Sequence, residues 1–425
     1  MNSLSKQIKQ INGPVNVVRL EGKFNSITKI LYVFMDFHVP VSFETVCDNI
    51  FRKDIEEYFA ESFYNLNSTN KIYDFFLETW DMEFDNINYG LHYKSNKNYK
   101  GMYIEEVIKL FRKLFVFDPK SKKVRSSKLF KNIRLHYLDI RVFFEKSFYF
   151  DFYDMIYLAN MMRINIYINT SDLKVIINFL KKFVEYCHFI EDIINEVKSS
   201  NGKKKLKKIN IIEFNKNITN ESEKIQKQKY YELFYYLLNK MYWSYKYDNV
   251  KQFARDEINT IIDNLSDLIT SSENAILKFE NILNTINSVN GDLYKDPASG
   301  RYFYGLTLEA MHEMCATVYL ELNRISENLR YYFINFMDIY FIRRFLDNDY
   351  ITNAIAYTGA AHSIVYIDIL CKKFGFVVTH AYYSKIPDLK ILNSKIKKMD
   401  DLEILFFPPV LAQCSDMTNF PENFA

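Results

Sequence analysis

Two histidines far apart in the chain each stand where a strand gives way to something else. His362 closes the stretch Asn353-Ala354-Ile355-Ala356-Tyr357-Thr358-Gly359-Ala360-Ala361-His362. This reads as a short apolar strand, a glycine turn and the first turn of a helix. Ile364, Val365, Ile367, Ile369 and Leu370 continue the helix, Lys372 and Lys373 complement its C-terminal dipole, and Gly375 caps it. Such a junction holds side chains and free backbone N–H groups at the carboxyl end of a sheet, where open α/β folds place their sites. The positive end of a helix disfavours added charge on an imidazole, and a neutral imidazole can bind a metal or accept a proton.

A second junction follows the apolar run Lys29–Met35, which suits a buried strand and ends in Asp36-Phe37-His38-Val39-Pro40. Period-2 geometry puts Asp36 and His38 on one face, and Pro40 stops the strand. Glu78 follows a third apolar run, Ile72–Leu77. Asp139 and Arg141, with His136, lie in a fourth, Arg134–Arg141. Two imidazoles and one or two carboxylates form an N/O donor set for a divalent ion such as Mn, Fe, Co or Zn. His38, His362 and Asp36 are the expected ligands. Such an ion lowers the pKa of a bound water and supplies hydroxide. Glu78 or Asp36 could serve as base, and Asp139 and Arg141 could shape the site, with Arg141 able to hold an anionic group. Each residue alone has a plainer reading: solvent-facing strand ends, a histidine bonded to backbone, an Asp139–Arg141 ion pair, an ordinary helix start. The repeated placement of acid or histidine at strand ends is what points to a site.

Elements must carry these residues. Strands are expected at 15–20, 29–36, 72–78, 132–140, 353–358, 376–382 and 402–407. Helices are expected at 44–66, with Ile50, Ile55, Tyr58, Phe59 and Phe63 as a buried stripe, at 103–117 and at 360–374. Between 166 and 345 the chain reads as mostly helix: Leu173–Val197, 221–247, 250–269, 272–289 and 306–345, with Ser271 or Ser272 capping one of them. The tail after Val410 reads as irregular. The simplest architecture is an α/β core built from both chain ends, residues 1–165 and 346–425, with a helical insertion at 166–345.

The bulk composition narrows the class. With 425 residues there is length for two or three domains, and 48% hydrophobic content can fill their cores. A formal net charge of +3 gives no global field for nucleic acid. Lys198–Lys208 reads as a solvated loop, with an anion-binding patch as the sharper alternative. Five cysteines without a CxxC pair argue for reduced thiols and a cytosolic compartment. No signal peptide or membrane-spanning run is evident. The abundance of aromatic, Asn, Lys and Ile residues reads as AT-rich genome bias. His312-Glu313-Met314-Cys315 lacks the second histidine of a zinc HExxH motif, and no P-loop, Rossmann fingerprint or GxSxG elbow is present. Cys315 is expected to be buried and inert.

These residues resemble the TraB/TIKI, ChaN and erythromycin-esterase-like group. That group has an α/β core, a Gly-Glu-x-His motif after an early strand, an acid after a following strand, and a late Gly-x-x-His. Gly359-Ala360-Ala361-His362 matches the late motif, Met35-Asp36-Phe37-His38 stands at the place of the first, and Glu78 at that of the acid. Met35 replaces the glycine, and Asp36 the glutamate. The resemblance implies metal and acid/base roles for Asp36, His38, Glu78 and His362. It covers about 120 residues at the two chain ends. The whole chain also resembles proteins of giant DNA viruses, which share its aromatic, Asn/Lys/Ile-rich style and a Tyr-x-Gly-x-x-His segment. This implies a viral source, in host cytoplasm or virion, and carries no activity with it. Two functions follow as expectations. One is a metal-dependent hydrolase-like protein acting on a small-molecule or peptide substrate. The other is a non-enzymatic virion or host-interaction protein, bound to a viral or host protein, on a degenerate hydrolase-like scaffold.

Overall fold

Alternation along the strands explains how the sheet is buried on both sides. In β3 (Ile27–Asp36), Tyr32 and Phe34 face one way and Leu31, Val33 and Met35 the other, and all five are buried. The computed structural model describes residues 9–40, 47–79, 101–117, 125–140, 146–202, 221–289, 294–295, 302–303 and 305–425. The chain forms two units, residues 1–140 with 340–425, and residues 141–339.

The first unit holds an α/β core drawn from both chain ends. Its main sheet has eight strands: β2 (Pro14–Phe24), β3, β5 (Tyr73–Leu77), β6 (Val116–Phe117), β7 (Arg125–Ser126), β8 (Ile133–Tyr137), β11 (Asn353–Gly359) and β12 (Val377–Ala381). Their order is β12-β2-β3-β11-β5-β8-β7-β6. The central four, β3, β11, β5 and β8, run parallel, and each flanking strand is antiparallel to its inner neighbour. β11 enters between β3 and β5 from more than 270 residues along the chain, setting Gly359 opposite Asp36 and Tyr357 opposite Leu77.

Helices cover both faces. On one, α1 (Ile55–Asn65) and α2 (Tyr103–Leu114) close an aromatic core centred on Phe59. Its ring lies 5.0 Å from Phe34, 5.1 Å from Phe75 and 5.7 Å from Tyr357. Truncating such a ring typically costs about 3–5 kcal/mol. On the other face, Tyr366 of α8 (Ala360–Lys373) stacks on Phe341 at 4.0 Å, and Phe341 meets Phe76 edge-on at 5.1 Å. Lys29, expected inside an apolar strand, is fully buried because its ammonium caps a helix. Nζ donates to the carbonyls of Phe345, Asn348 and Ile351 at 3.0, 2.9 and 2.6 Å.

A small second sheet brings the extreme ends together. β1 (Gln10–Asn12) pairs antiparallel with β13 (Cys414–Asp416) and parallel with β4 (Lys53–Asp54). Gly13 turns the chain from β1 into β2 at φ +124°, and a Cβ there would lie 2.8 Å from Ile55 Cγ2. The tail is not irregular throughout: beyond β13, Phe424 packs 5.1 Å from Tyr32 and 6.2 Å from Phe34. The cysteine expectation is also corrected. Cys47 and Cys414 form a disulfide, while Cys187, Cys315 and Cys371 are buried free thiols. A pair 367 residues apart gives no spacing signal; it becomes visible only once the two ends share a sheet.

The second unit is helical: α3 (Lys146–Asn165), α4 (Thr170–Ser199), α5 (Glu221–Trp243), α6 (Asp248–Ser288) and most of α7 (Leu308–Leu346). It also holds the short ladder of β9 (Tyr294–Lys295) and β10 (Tyr302–Phe303). Its limits are 141 and 339, against the expected 166 and 345. Phe152 of α3 packs 4.8 Å from both Phe179 and Phe183 of α4, which ties that helix to the block. α4 starts on Asn169, whose side chain accepts from the Ser171 and Asp172 N–H groups. The two helices expected at 250–269 and 272–289 are one. Ser272 caps nothing; its hydroxyl donates to the Leu268 carbonyl 2.8 Å away inside the helix.

Three further expectations need correction. The helix expected from 44 starts at Ile55, and Ile50 is 80% exposed. The strand expected at 402–407 is the short helix α10 (Glu403–Phe406), which follows α9 (Leu389–Ile396). β8 ends at Tyr137, although Leu138 and Asp139 still donate to the Leu77 and Thr79 carbonyls at 3.0 Å each. Arg141 and Lys203–Lys208 lie outside the described residues. Among the described residues, no helix is long and apolar enough to cross a membrane.

Candidate functional site

The carboxyl ends of β3, β11 and β5 lie side by side. The helix after β3 packs on one face of the sheet and the helix after β11 on the other, the arrangement in which open α/β sheets place their sites at the strand ends. Asp36, Glu78 and His362 are all buried there, and a quarter of the His38 side chain is open to solvent.

Four of the expected residues come together with a fifth. Tyr357 Oη donates to Asp36 Oδ1 at 2.5 Å. Asp36 Oδ2 meets His38 Nδ1 at 2.5 Å. His38 Nε2 lies 3.4 Å from Glu78 Oε2, and Glu78 Oε1 lies 3.8 Å from His362 Nε2. Acids and imidazoles thus alternate along one row, Tyr357–Asp36–His38–Glu78–His362. Glu78 Oε2 also accepts the Gly359 N–H at 2.7 Å, at the head of α8, where the helix dipole favours an anion. The glycine of Gly359-x-x-His362 has a local reason. A Cβ there would stand 3.1 Å from His38 Nε2 and 3.3 Å from Glu78 Oε2, so a larger residue would push the row apart.

The electrostatics of His38 follow from its neighbours. Burial alone would push its pKa down. The charge of Glu78 and the hydrogen bond that His38 donates to Asp36 outweigh burial and lift it to about 10. His38 is therefore an imidazolium at neutral pH, held between two carboxylates by charge-assisted contacts.

The remaining expected residues are not drawn in. Asp139 is buried and extends the row of strand ends one strand beyond Glu78, its N–H on the Thr79 carbonyl at 3.0 Å. Arg141 is outside the described residues. His136 does not join the row. It lies within β8, its Nε2 2.7 Å from Asp74 Oδ1, with Phe76 stacked on its ring at 4.5 Å. Sequence reasoning missed Tyr357 and Gln413. Tyr357 had a signal, since alternation along β11 puts it on the same face as the Asp36 beside it. Gln413 donates to the Phe37 carbonyl at 2.6 Å across 376 residues, and no local pattern marks it.

Among the described residues, no group of three or more His, Cys, Asp or Glu side chains is arranged to hold a metal ion. The hydrogen bonds give a physical reason. Both Asp36 oxygens are engaged, His38 Nδ1 is on Asp36, and His38 Nε2 faces Glu78. In this arrangement those donor atoms are turned toward one another. What the row can do is move protons: an imidazolium able to donate lies against a carboxylate that also faces a second imidazole.

Comparison with known proteins gives this arrangement a family. The chain is 40% identical over 431 residues to uncharacterized protein R706 of Acanthamoeba polyphaga mimivirus, covering 99% of this chain and 98% of that one. It is 37% identical over 443 residues to uncharacterized protein R161 of the same virus, covering 100% of both. It is 36% identical to uncharacterized protein R160, over 99% of each. No solved structure matches the chain. The family of unknown function DUF5847 matches residues 9–425, and the chain belongs to that family, whose members include these giant-virus proteins.

Proposed function

We propose that this row of side chains at the strand ends is a hydrolytic acid–base site acting on an ester, amide or phosphoester. The observation that carries this reading is the row itself: imidazoles from opposite ends of the chain lie 3.4 and 3.8 Å from the two oxygens of one buried carboxylate. Glu78, paired with His362, accepts a proton from an attacking water. The His38 imidazolium, oriented by Asp36, donates a proton to the departing group. Asp36 keeps both Nδ1 and the positive charge of His38 in place, itself fixed by Tyr357. The likeness of Gly359-Ala360-Ala361-His362 and Met35-Asp36-Phe37-His38 to the TraB/TIKI and erythromycin-esterase-like motifs supports hydrolysis as the reaction class. No step in this scheme runs through a metal.

The test is turnover by the purified full chain on chromogenic esters, amides and phosphomono- and diesters, beside Glu78→Gln and His362→Ala. Removing one positioned acid or base costs on the order of 10²–10⁴-fold, so either variant should lose at least a hundredfold. Elemental analysis of the same preparations reads metal content directly. Equal rates in wild type and variants, or no turnover on any substrate class, would remove the hydrolytic reading in favour of a non-enzymatic scaffold. Metal bound stoichiometrically and lost in His362→Ala would replace the metal-free scheme with a metal-centred one.

A further inference from the structure

The segment that carries His38 is gripped from outside the sheet. Asp36 is fixed by the β3–β11 ladder and by Tyr357, but His38 lies two residues beyond the strand. The peptide between them is held at the Phe37 carbonyl, which accepts from the Val39 N–H and from Gln413 Nε2, the latter at 2.6 Å. Gln413 is 1% exposed, and its own carbonyl takes the Gly13 N–H at 3.0 Å. The next residue, Cys414, is disulfide-bonded to Cys47, nine positions after His38. The Cys47 N–H is in turn held by Asn12 Oδ1 at 2.9 Å. Two consecutive residues of the C-terminal segment therefore hold Phe37 and Cys47, one by a hydrogen bond and one by a covalent bond. Ser415 continues the attachment, donating to the Pro14 carbonyl at 2.8 Å.

We propose that Gln413 is a positioning residue for His38, and that the Cys47–Cys414 disulfide makes this positioning respond to redox state. The inference rests on the reading of His38 as the proton donor of the site. With the disulfide intact, the backbone that carries Gln413 is tied covalently, one residue on, to Cys47. A dithiol reductant removes that constraint. It supplies two electrons and two protons, the S–S bond breaks to leave Cys47 and Cys414 as thiols, and the dithiol closes to its own disulfide. Gln413 is then held by hydrogen bonds alone. The net worth of one such bond corresponds to roughly a two- to tenfold change in population. Cys47 is buried, whereas Cys414 is half-buried.

The test reads His38 without needing turnover. In oxidised full-length protein, the His38 Nδ1–H on Asp36 should give a strongly downfield, slowly exchanging proton signal, assigned by its loss in Asp36→Asn. Gln413→Met keeps the bulk of the side chain and the disulfide but removes the donor. It should shift or broaden that signal and speed amide exchange at Phe37–Val39 roughly two- to tenfold, with exchange in β11 unchanged. Dithiothreitol, and the Cys47→Ser/Cys414→Ser double variant, should do the same. An unchanged signal in Gln413→Met overturns the positioning role, and because its disulfide is intact this arm stands even where the reduced protein unfolds. Free thiols at both positions in protein purified without reductant, or an unchanged signal on reduction, overturns the redox link. A downfield signal with no hydrolysis would spare this inference and sink the hydrolytic reading alone.

Discussion

His38 and His136 each touch a buried aspartate within the same sheet, and their electrostatics run in opposite directions. His38 has a carboxylate on either side and is lifted to about 10. His136 is pushed below the ordinary histidine value, first by burial; Asp74 pulls it up, and Arg344 and Arg134 push it back down. The geometry agrees with that difference. Arg134 binds Asp74 with two hydrogen bonds, at 2.8 and 2.6 Å, and Arg344 Nε donates to His136 Nδ1 at 3.3 Å. His136 is thereby fixed as the neutral tautomer, with Nε2–H toward Asp74, and Phe76 covers its ring. Every polar group of His136 is spent inside the protein, whereas a quarter of the His38 side chain is open to solvent. An aspartate–histidine pair is therefore not by itself a site. The second charge decides: a carboxylate makes a proton donor, and two guanidiniums make a strut between strands.

The comparison breaks most visibly in stability. Asp74 is fully buried and joins β5 to Arg134 and His136 on β8. Removing one partner of a buried pair costs about 3–5 kcal/mol, and a quarter-exposed Arg134 puts Asp74→Ala near the lower end. Glu78→Gln keeps an acceptor for the Gly359 N–H and should cost much less. Urea midpoints of the two variants check this. A loss under about 1 kcal/mol for Asp74→Ala would mean that the Asp74 cluster is not the strut.

The next effect is a pH dependence with a defined sign. The pKa of His38 is raised from 6.5 in the unfolded chain to about 10 in the folded one. Between those values the folded state binds a proton that the unfolded state does not, so stability falls as pH rises. The contribution is complete below pH 6.5 and gone once pH has passed about 10. The stability advantage of wild type over His38→Gln should therefore shrink across that window, measured as urea midpoints in parallel buffers. A flat difference would contradict the imidazolium. His136 should show no such window, because its shift is downward.

How much of this was legible beforehand follows the range over which each signal acts. β3, β5 and β11 were readable because a strand's alternation is local and its end is marked by a change to Asp36, Glu78 or Gly359. Those same marks exposed four of the five residues in the row. Ser272 misled because a capping residue type is compatible with a helix interior when its hydroxyl bonds back to the preceding turn. Ile50 misled because helical spacing extends past the real start of α1, and a periodic match there buries nothing. The attachment of Gln413 to Phe37 and of Cys414 to Cys47 was beyond reach, since those partners meet only after β11 has joined the two chain ends. His136 and His38 look alike in sequence because the charges that distinguish them, Glu78 and Arg344, come from other elements.

The smallest effect is the sharpest test of that last point. Arg344→Met keeps most of the length of the side chain but removes the donor to His136 Nδ1 and one of the two positive charges that hold the ring neutral. The contact is long, at 3.3 Å, and Arg344 is half-buried, so the loss of stability should stay within about 1 kcal/mol. The ring itself should respond more clearly. With Asp74 still on Nε2 and less positive charge nearby, the pKa of His136 moves up toward the ordinary histidine value, and ring-nitrogen shifts measured against pH will show the direction. If His136 stays where it is without Arg344, then burial under Phe76 together with Arg134 is enough to keep it neutral, and the contrast with His38 does not turn on Arg344.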